Sequence, residues 1–200
     1  MPQPIDFYFD FSSPYSYLAS ERIEEIAARH GRAVRFRPVL LGVAFRASGQ
    51  RPLTEVPLKG EYSRRDFARC ARFLGVPFRM PDPFPIGTVD AARVVVWLQQ
   101  VDPARIPDFV HAGYRAFFVH GRNLSDRAVL AEVVQEAGID AGAAMAAIAG
   151  APVKDALRAQ VEQAIARGVF GAPFMMIDGE PFWGHDRFPQ IERWLAQGPF

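Results

Sequence analysis

The chain of 200 residues contains a single cysteine, Cys70. An intrachain disulfide and a Cys-x-x-Cys dithiol are therefore excluded, and four Cys or His ligands at zinc-site spacing are missing. An excess of one charge is lacking too: 23 Lys and Arg stand against 22 Asp and Glu, a net charge of +1 with no charged block. Nucleic acid is a poor expectation for such a balanced surface. No apolar run approaches the ~18 residues of a membrane span, and Asp6 and Asp10 stand where a secretory leader needs positive charge. Internal repeats and low-complexity linkers are absent as well. What remains is 50% apolar and 22% charged, enough to bury a core. The expectation is a soluble cytoplasmic protein, with no membrane and no nucleic-acid partner, built as one domain with an insertion or as two small ones.

Apolar periodicity organises the two ends of the chain. Ile5, Phe7, Phe9 and Phe11 alternate with polar residues, which predicts a half-buried strand. Ser12-Ser13-Pro14 follows as a helix start, hydroxyl caps before a proline that has no N–H to lose. Ala19, Ile23, Ile26 and Ala27 then share one helical face up to His30-Gly31, and Val34 to Arg37 alternate again. Strand, long helix, strand is a βαβ unit with parallel strands. Near the other end, Val153, Leu157, Val161 and Ile165 form a helical stripe. Phe174 to Ile177 and Pro181 to Trp183 flank the hairpin signal Asp178-Gly179, and Phe188, Ile191, Trp194 and Leu195 predict a last helix. Between these ends the pattern is helical. Stripes centre on Phe67, Cys70, Ala71 and Leu74, on Val94 to Leu98, and on Phe109 to Phe118, and Ser125 is a candidate cap for a fourth helix ending at Gly138. Six prolines between Arg51 and Pro85 predict extended loops around the first of these helices. The layout is that of an α/β thioredoxin-like fold with an inserted all-helical domain, divided as 1–41 with 151–200 and 42–150.

Four segments carry candidate chemistry. In a thioredoxin layout the redox dithiol lies between the first strand and first helix, where this chain has Ser13-Pro14-Tyr15-Ser16. Ser13 either caps the helix or, with the positive helix end, lowers the pKa of a thiol brought by another molecule. Phe170-Gly171-Ala172-Pro173 precedes a strand. In this fold such a proline is cis, and Ala172 before it exposes its N–H and C=O to an extended peptide; an ordinary edge-strand start is the alternative. Trp183-Gly184-His185-Asp186-Arg187 offers an anion cradle at Gly184 and an acceptor for an ammonium at Asp186, or simply a helix cap at Asp186. Lys59 is a candidate for a substrate carboxylate or a solvated surface lysine. Cys70 lies on an apolar stripe and is expected to be buried and inert, and Arg64, Arg65, Arg69 and Arg72 form a solvated or ion-paired face.

The opening Asp6 to Ala19 resembles the start of the 2-hydroxychromene-2-carboxylate isomerases, relatives of the kappa-class glutathione transferases within the DsbA-like thioredoxin superfamily. Leu58-Lys59-Gly60-Glu61-Tyr62, Asp66 to Arg69, Phe73-Leu74-Gly75-Val76-Pro77, Ala91-Ala92-Arg93, Tyr114 to Phe118, Gly168 to Pro173 and Trp183 to Arg187 continue the resemblance in consistent order. It implies glutathione as cofactor, with Ser13 hydrogen-bonding its sulfur as the catalytic residue. Ala172 before cis-Pro173 would pair with its cysteinyl backbone, and Trp183, Gly184, His185 and Asp186 would hold its γ-glutamyl end. Gln50, Lys59 and Thr88 fall where the family contacts glutathione or the aromatic acid. Gln50 stands where relatives often have Asn, and Gly87-Thr88 where an Asn-Ser pair is common.

The implied activity is glutathione-dependent cis-trans isomerisation between 2-hydroxychromene-2-carboxylate and trans-o-hydroxybenzylidenepyruvate, a step of aromatic hydrocarbon catabolism. Relatives also suggest a homodimer. A kappa-like transferase that conjugates glutathione to small electrophiles uses the same thiolate without reversing the adduct. A non-catalytic thioredoxin-like binding module keeps the groove and has no need of Ser13.

Overall fold

The structure, a computed structural model, describes residues 2–200. β1 (Ile5–Phe9), α1 (Pro14–Arg29) and β2 (Val34–Pro38) form the expected unit, with β1 and β2 parallel from Ile5 opposite Val34 to Phe9 opposite Pro38. β3 (Phe174–Ile177) joins β1 antiparallel on its other edge, Phe7 facing Met175, and β4 (Glu180–Trp183) completes the order β2-β1-β3-β4. The β3–β4 turn is the two-residue hairpin expected, with Asp178 and Gly179 at φ 52° and 94°. This is the thioredoxin-like sheet.

β1 is buried throughout and not on one face only. Ile5, Phe7 and Phe9 pack with Leu18 and Ile23 of α1 and with Met175, Phe188 and Ile191. On the opposite face Tyr8 packs with Val39, Ala164, Val169 and Phe174, and Asp6 is held by Arg35, Arg37 and Arg167. The polar half of the alternation is thus covered by the end of α8 (Ala151–Ala166), by Arg167 just after it and by Arg35 and Arg37 of β2 rather than by water. Each fully buried Phe or Ile contributes roughly 1.5–3 kcal/mol, so Phe7→Ala would cost about 3–5 kcal/mol with its cavity.

Between β2 and α8 come α2 (Leu41–Ser48), α3 (Lys59–Leu74), α4 (Val89–Val101), α5 (Ile106–Phe118), α6 (Arg127–Glu136) and α7 (Ala141–Ala149), and α9 (Phe188–Gln197) follows the sheet. Neither α2 nor α7 stands out by periodicity. α2 is short, and α7, AGAAMAAIA, lacks the polar contrast that would mark a face. The cap of α6 is Asp126, whose carboxylate accepts the Ala128 N–H at 2.8 Å; Ser125 instead donates its hydroxyl to Asn123. Asp186 likewise caps nothing: it sits inside a 3-10 turn (His185–Arg187) that precedes α9. Residues of α4 to α7 belong to the same hydrophobic cluster as Phe7 and Phe9, so the sheet and the helices between its halves share one core.

Candidate active site

The turn after β1 is built around Asp10. Its carboxylate accepts the N–H of Ser12 at 2.8 Å, the N–H of Leu41 at 2.8 Å and the hydroxyl of Thr88 at 2.9 Å. Its backbone carbonyl accepts the N–H of Ser13 at 2.9 Å and the Tyr114 hydroxyl at 3.1 Å. Burial raises the Asp10 pKa against the lowering pull of those three carboxylate bonds. Asp10 was read only as a charge near the start of the chain. Its signal was local, an Asp two residues before the serine whose N–H it accepts.

Ser13 is the N-cap of α1, with Pro14 as first helical residue. Its Oγ accepts the Ser16 N–H at 3.1 Å and donates to the Ala172 carbonyl at 3.1 Å. The cap and the cleft-lining position are therefore compatible roles. The Ala172–Pro173 peptide is cis, and Pro173 accepts the Gly184 N–H at 3.1 Å. Contrary to the expectation of an exposed carbonyl, that of Ala172 already holds the Ser13 hydroxyl; a second lone pair remains, and the Ala172 N–H has no partner among the described residues.

Ser13, Gln50, Lys59, Thr88, Ala172, Pro173, Trp183, Gly184, His185 and Asp186 all line one cleft of about 1620 Å³. Thr88 does so with its hydroxyl committed to Asp10, so it supports the wall rather than offering a free donor. Gln50 and Lys59 are exposed at the rim. Gly184, at φ 110°, occupies a conformation closed to other residues, and a Cβ there would lie 2.4 Å from Asp186 Oδ1. Gly171 lets the Trp183 indole lie directly over the chain, since a Cβ would meet Nε1 at 2.8 Å. Asp186, freed from capping, pairs with Arg187 at 2.9 Å.

Several residues that the sequence motifs contain, but give no site role, also line the cleft. Tyr15 donates its hydroxyl to Asp66 at 2.5 Å and stacks on His185. Burial and the Asp66 bond both raise the Tyr15 pKa. Burial opposes the ionisation of Asp66, but bonds from Tyr15, Arg69 and Cys70 prevail and keep its carboxyl below the usual range. Cys70 is half-buried at the cleft wall, not buried in the core; burial and the neighbouring Asp66 push its thiol up to about 11. Arg46 and Arg51 line the rim beside Gln50, and with Lys59 they have no ion-pair partner among the described residues. Phe67, Phe84 and Ile86 give the cleft an apolar wall. The whole can hold a peptide-like molecule against the Pro173 turn and an anionic aromatic one against α2 and α3.

Among the described residues no helix is long and apolar enough to cross a membrane, and no cluster of His, Cys, Asp and Glu is arranged for a metal ion. The model of the DSBA-like thioredoxin domain matches residues 4–196. A 2-hydroxychromene-2-carboxylate isomerase of Sphingobium xenophagum is 33% identical over 98% of this chain and 99% of its own length. Glutathione S-transferase kappa 2 of Caenorhabditis elegans is 28% identical over 98% and 92%. Among solved structures, a 2-hydroxychromene-2-carboxylate isomerase superposes with a TM-score of 0.87 at 26% identity, covering 96% of this chain and 94% of that one.

Proposed function

The chain belongs to the DSBA-like thioredoxin-domain family, on the branch that includes isomerases and kappa-class transferases, and from that premise we propose that it is a glutathione-dependent 2-hydroxychromene-2-carboxylate isomerase. The observation that carries the reading is Ser13: a hydroxyl at the N-terminus of α1, against the Pro173 turn, in a chain with no dithiol. Dithiol–disulfide exchange is closed to it, and its one thiol is not at the Ser13 position, so the reactive sulfur comes with a small thiol.

The residues fit glutathione. Ala172 has a partner-free N–H and a spare carbonyl lone pair for the cysteinyl backbone. Trp183, Gly184, His185 and Asp186 would hold the γ-glutamyl end, and Gln50 or Lys59 the other end. Bound glutathione would supply a thiolate that adds reversibly to the substrate's conjugated double bond and so permits its rotation. Ser13 turns its O–H from the Ala172 carbonyl toward the sulfur, and with the helix end it stabilises the negative charge there. Arg46, Arg51 and Lys59 would attract the carboxylate of the aromatic acid, whose rings lie along Phe67 and Phe84. Cytoplasmic location and a homodimer complete the reading.

Mixing the purified protein with 2-hydroxychromene-2-carboxylate should change the absorbance only after glutathione is added, and glutathione should be recovered unchanged. Turnover without it, or none with it, overturns the proposal. The kappa-class relative favours a second reading, conjugation to small electrophiles. Net consumption of glutathione would establish that one instead.

A further inference from the structure

Behind His185 the cleft wall holds two residues, Tyr15 and Asp66, that the chemistry above does not use. Tyr15, second residue of α1, donates its hydroxyl to Asp66 of α3 at 2.5 Å. It makes a T-shaped contact with Phe67 at 4.9 Å and 75°, and its face lies on the His185 imidazole at 4.8 Å and 8°. Asp66 is itself anchored, because Arg69 and Cys70 both donate to it. The Tyr15 ring is thus clamped by α3 through its hydroxyl and through its contact with Phe67. His185 opposite is half-buried, and neither ring nitrogen has a protein partner among the described residues. Face-on stacking leaves both nitrogens on the open rim of the ring. An imidazole whose rotation is restrained while its polar atoms stay unpaired in a cleft is organised for a ligand.

We propose that Asp66 and Tyr15 are positioning residues that hold His185 as a hydrogen-bond acceptor for the α-ammonium of the γ-glutamyl end of glutathione, beside the Asp186 carboxylate. The inference rests on the glutathione reading above. An ammonium carries three donors, and Asp186 alone cannot satisfy them; an imidazole lone pair supplies a second acceptor. That lone pair exists only on the neutral ring. Burial lowers the His185 pKa, with Arg22 adding to it and Asp186 and Asp66 opposing. Arg69 is engaged by Asp66, and Tyr15 and Cys70 are uncharged at neutral pH. The ring is therefore neutral at pH 7 and accepts, where an imidazolium would repel.

Calorimetric titration of glutathione and of its des-amino analogue, glutaryl-Cys-Gly, tests this. Tyr15→Leu should weaken glutathione roughly tenfold, as for one charge-assisted hydrogen bond, and leave the analogue unchanged. Tyr15→Phe, which keeps the stacked ring, and Asp66→Asn should each lose less. The His185 ring-proton resonances should lose their ring-current shift in Tyr15→Leu while the rest of the spectrum persists, which separates repositioning from unfolding. Equal losses for both peptides, or none for glutathione, overturn the inference alone. Wild-type protein that takes up neither peptide overturns the glutathione reading itself.

Discussion

The hydroxyl of Thr88 donates to the buried carboxylate of Asp10, a residue 78 positions earlier, at 2.9 Å. Through it the turn that carries Ser13, the start of α2 and the start of α4 meet at one side chain. Asp10→Ala would leave the Ser12 N–H, the Leu41 N–H and the Thr88 hydroxyl without their acceptor. Each unsatisfied buried donor costs about 1–3 kcal/mol, and water entering the space recovers part, so a net loss of at least about 2 kcal/mol is expected. Urea unfolding measures it. Asp10→Asn, which keeps one carbonyl oxygen, should fall between.

Ser13→Ala removes the hydroxyl that on the proposed reading turns toward the sulfur, and also the cap of α1. Loss of a charge-assisted hydrogen bond is worth about 1.5–3 kcal/mol, so turnover should fall roughly ten- to 150-fold. The cap adds about 1 kcal/mol of instability. Thiolate absorbance of the bound peptide should drop at fixed pH in step with the rate; an unchanged thiolate signal would assign Ser13 to capping only.

Gly184→Ala puts a methyl group at φ 110° and 2.4 Å from Asp186 Oδ1. The turn must move, and with it the Gly184 N–H bond to Pro173. The expected result is a glutathione affinity at least about tenfold weaker with a stability loss of about 1–2 kcal/mol. Calorimetry and thermal unfolding on the same sample distinguish the two effects.

Outside the cleft, His111 of α5 bonds Glu24 of α1 at 2.6 Å, and its Nδ1 lies 3.6 Å from Glu21, an ion pair without a hydrogen bond. Burial opposes the charge, yet the two carboxylates outweigh it and hold the imidazole at about 9. The folded value exceeds the unfolded one of about 6.5, so this stabilisation is complete below pH 6.5 and is lost as pH rises through about 9. Glu24 is partly exposed, which limits the contribution to about 2 kcal/mol. His111→Gln should flatten the stability profile across that window; a profile of unchanged slope would show the pair to be inert.

Legibility followed the range of the interactions. Alternation in Ile5 to Phe11, the serine-proline start at Ser13 and the Asp178-Gly179 turn are local signals, and each element they mark is present. The caps were less readable. Asp126 and Ser125 are adjacent and both suit a cap, and only the geometry of the turn selects Asp126. Asp186 looked like a cap because the intervening 3-10 turn has no sequence period. Residues of the cleft could be found where a motif runs along the chain, as at Trp183 to Asp186. Tyr15 and Asp66 form a pair 51 positions apart, and Thr88 and Asp10 one of 78. No periodicity encodes such pairs, since they exist only once the core has brought α1, α3 and α4 together.

Cys70 has a consequence for how the protein withstands oxidants. The chain's one sulfhydryl faces the hollow in which we place a concentrated cellular thiol. Because burial, and after it Asp66, keep the thiol protonated, it is a poor attacker of any disulfide that enters, and a mixed disulfide that would plug the hollow forms slowly. The carboxylate that receives Tyr15, Arg69 and Cys70 thus adds to the protection that burial gives the sulfur.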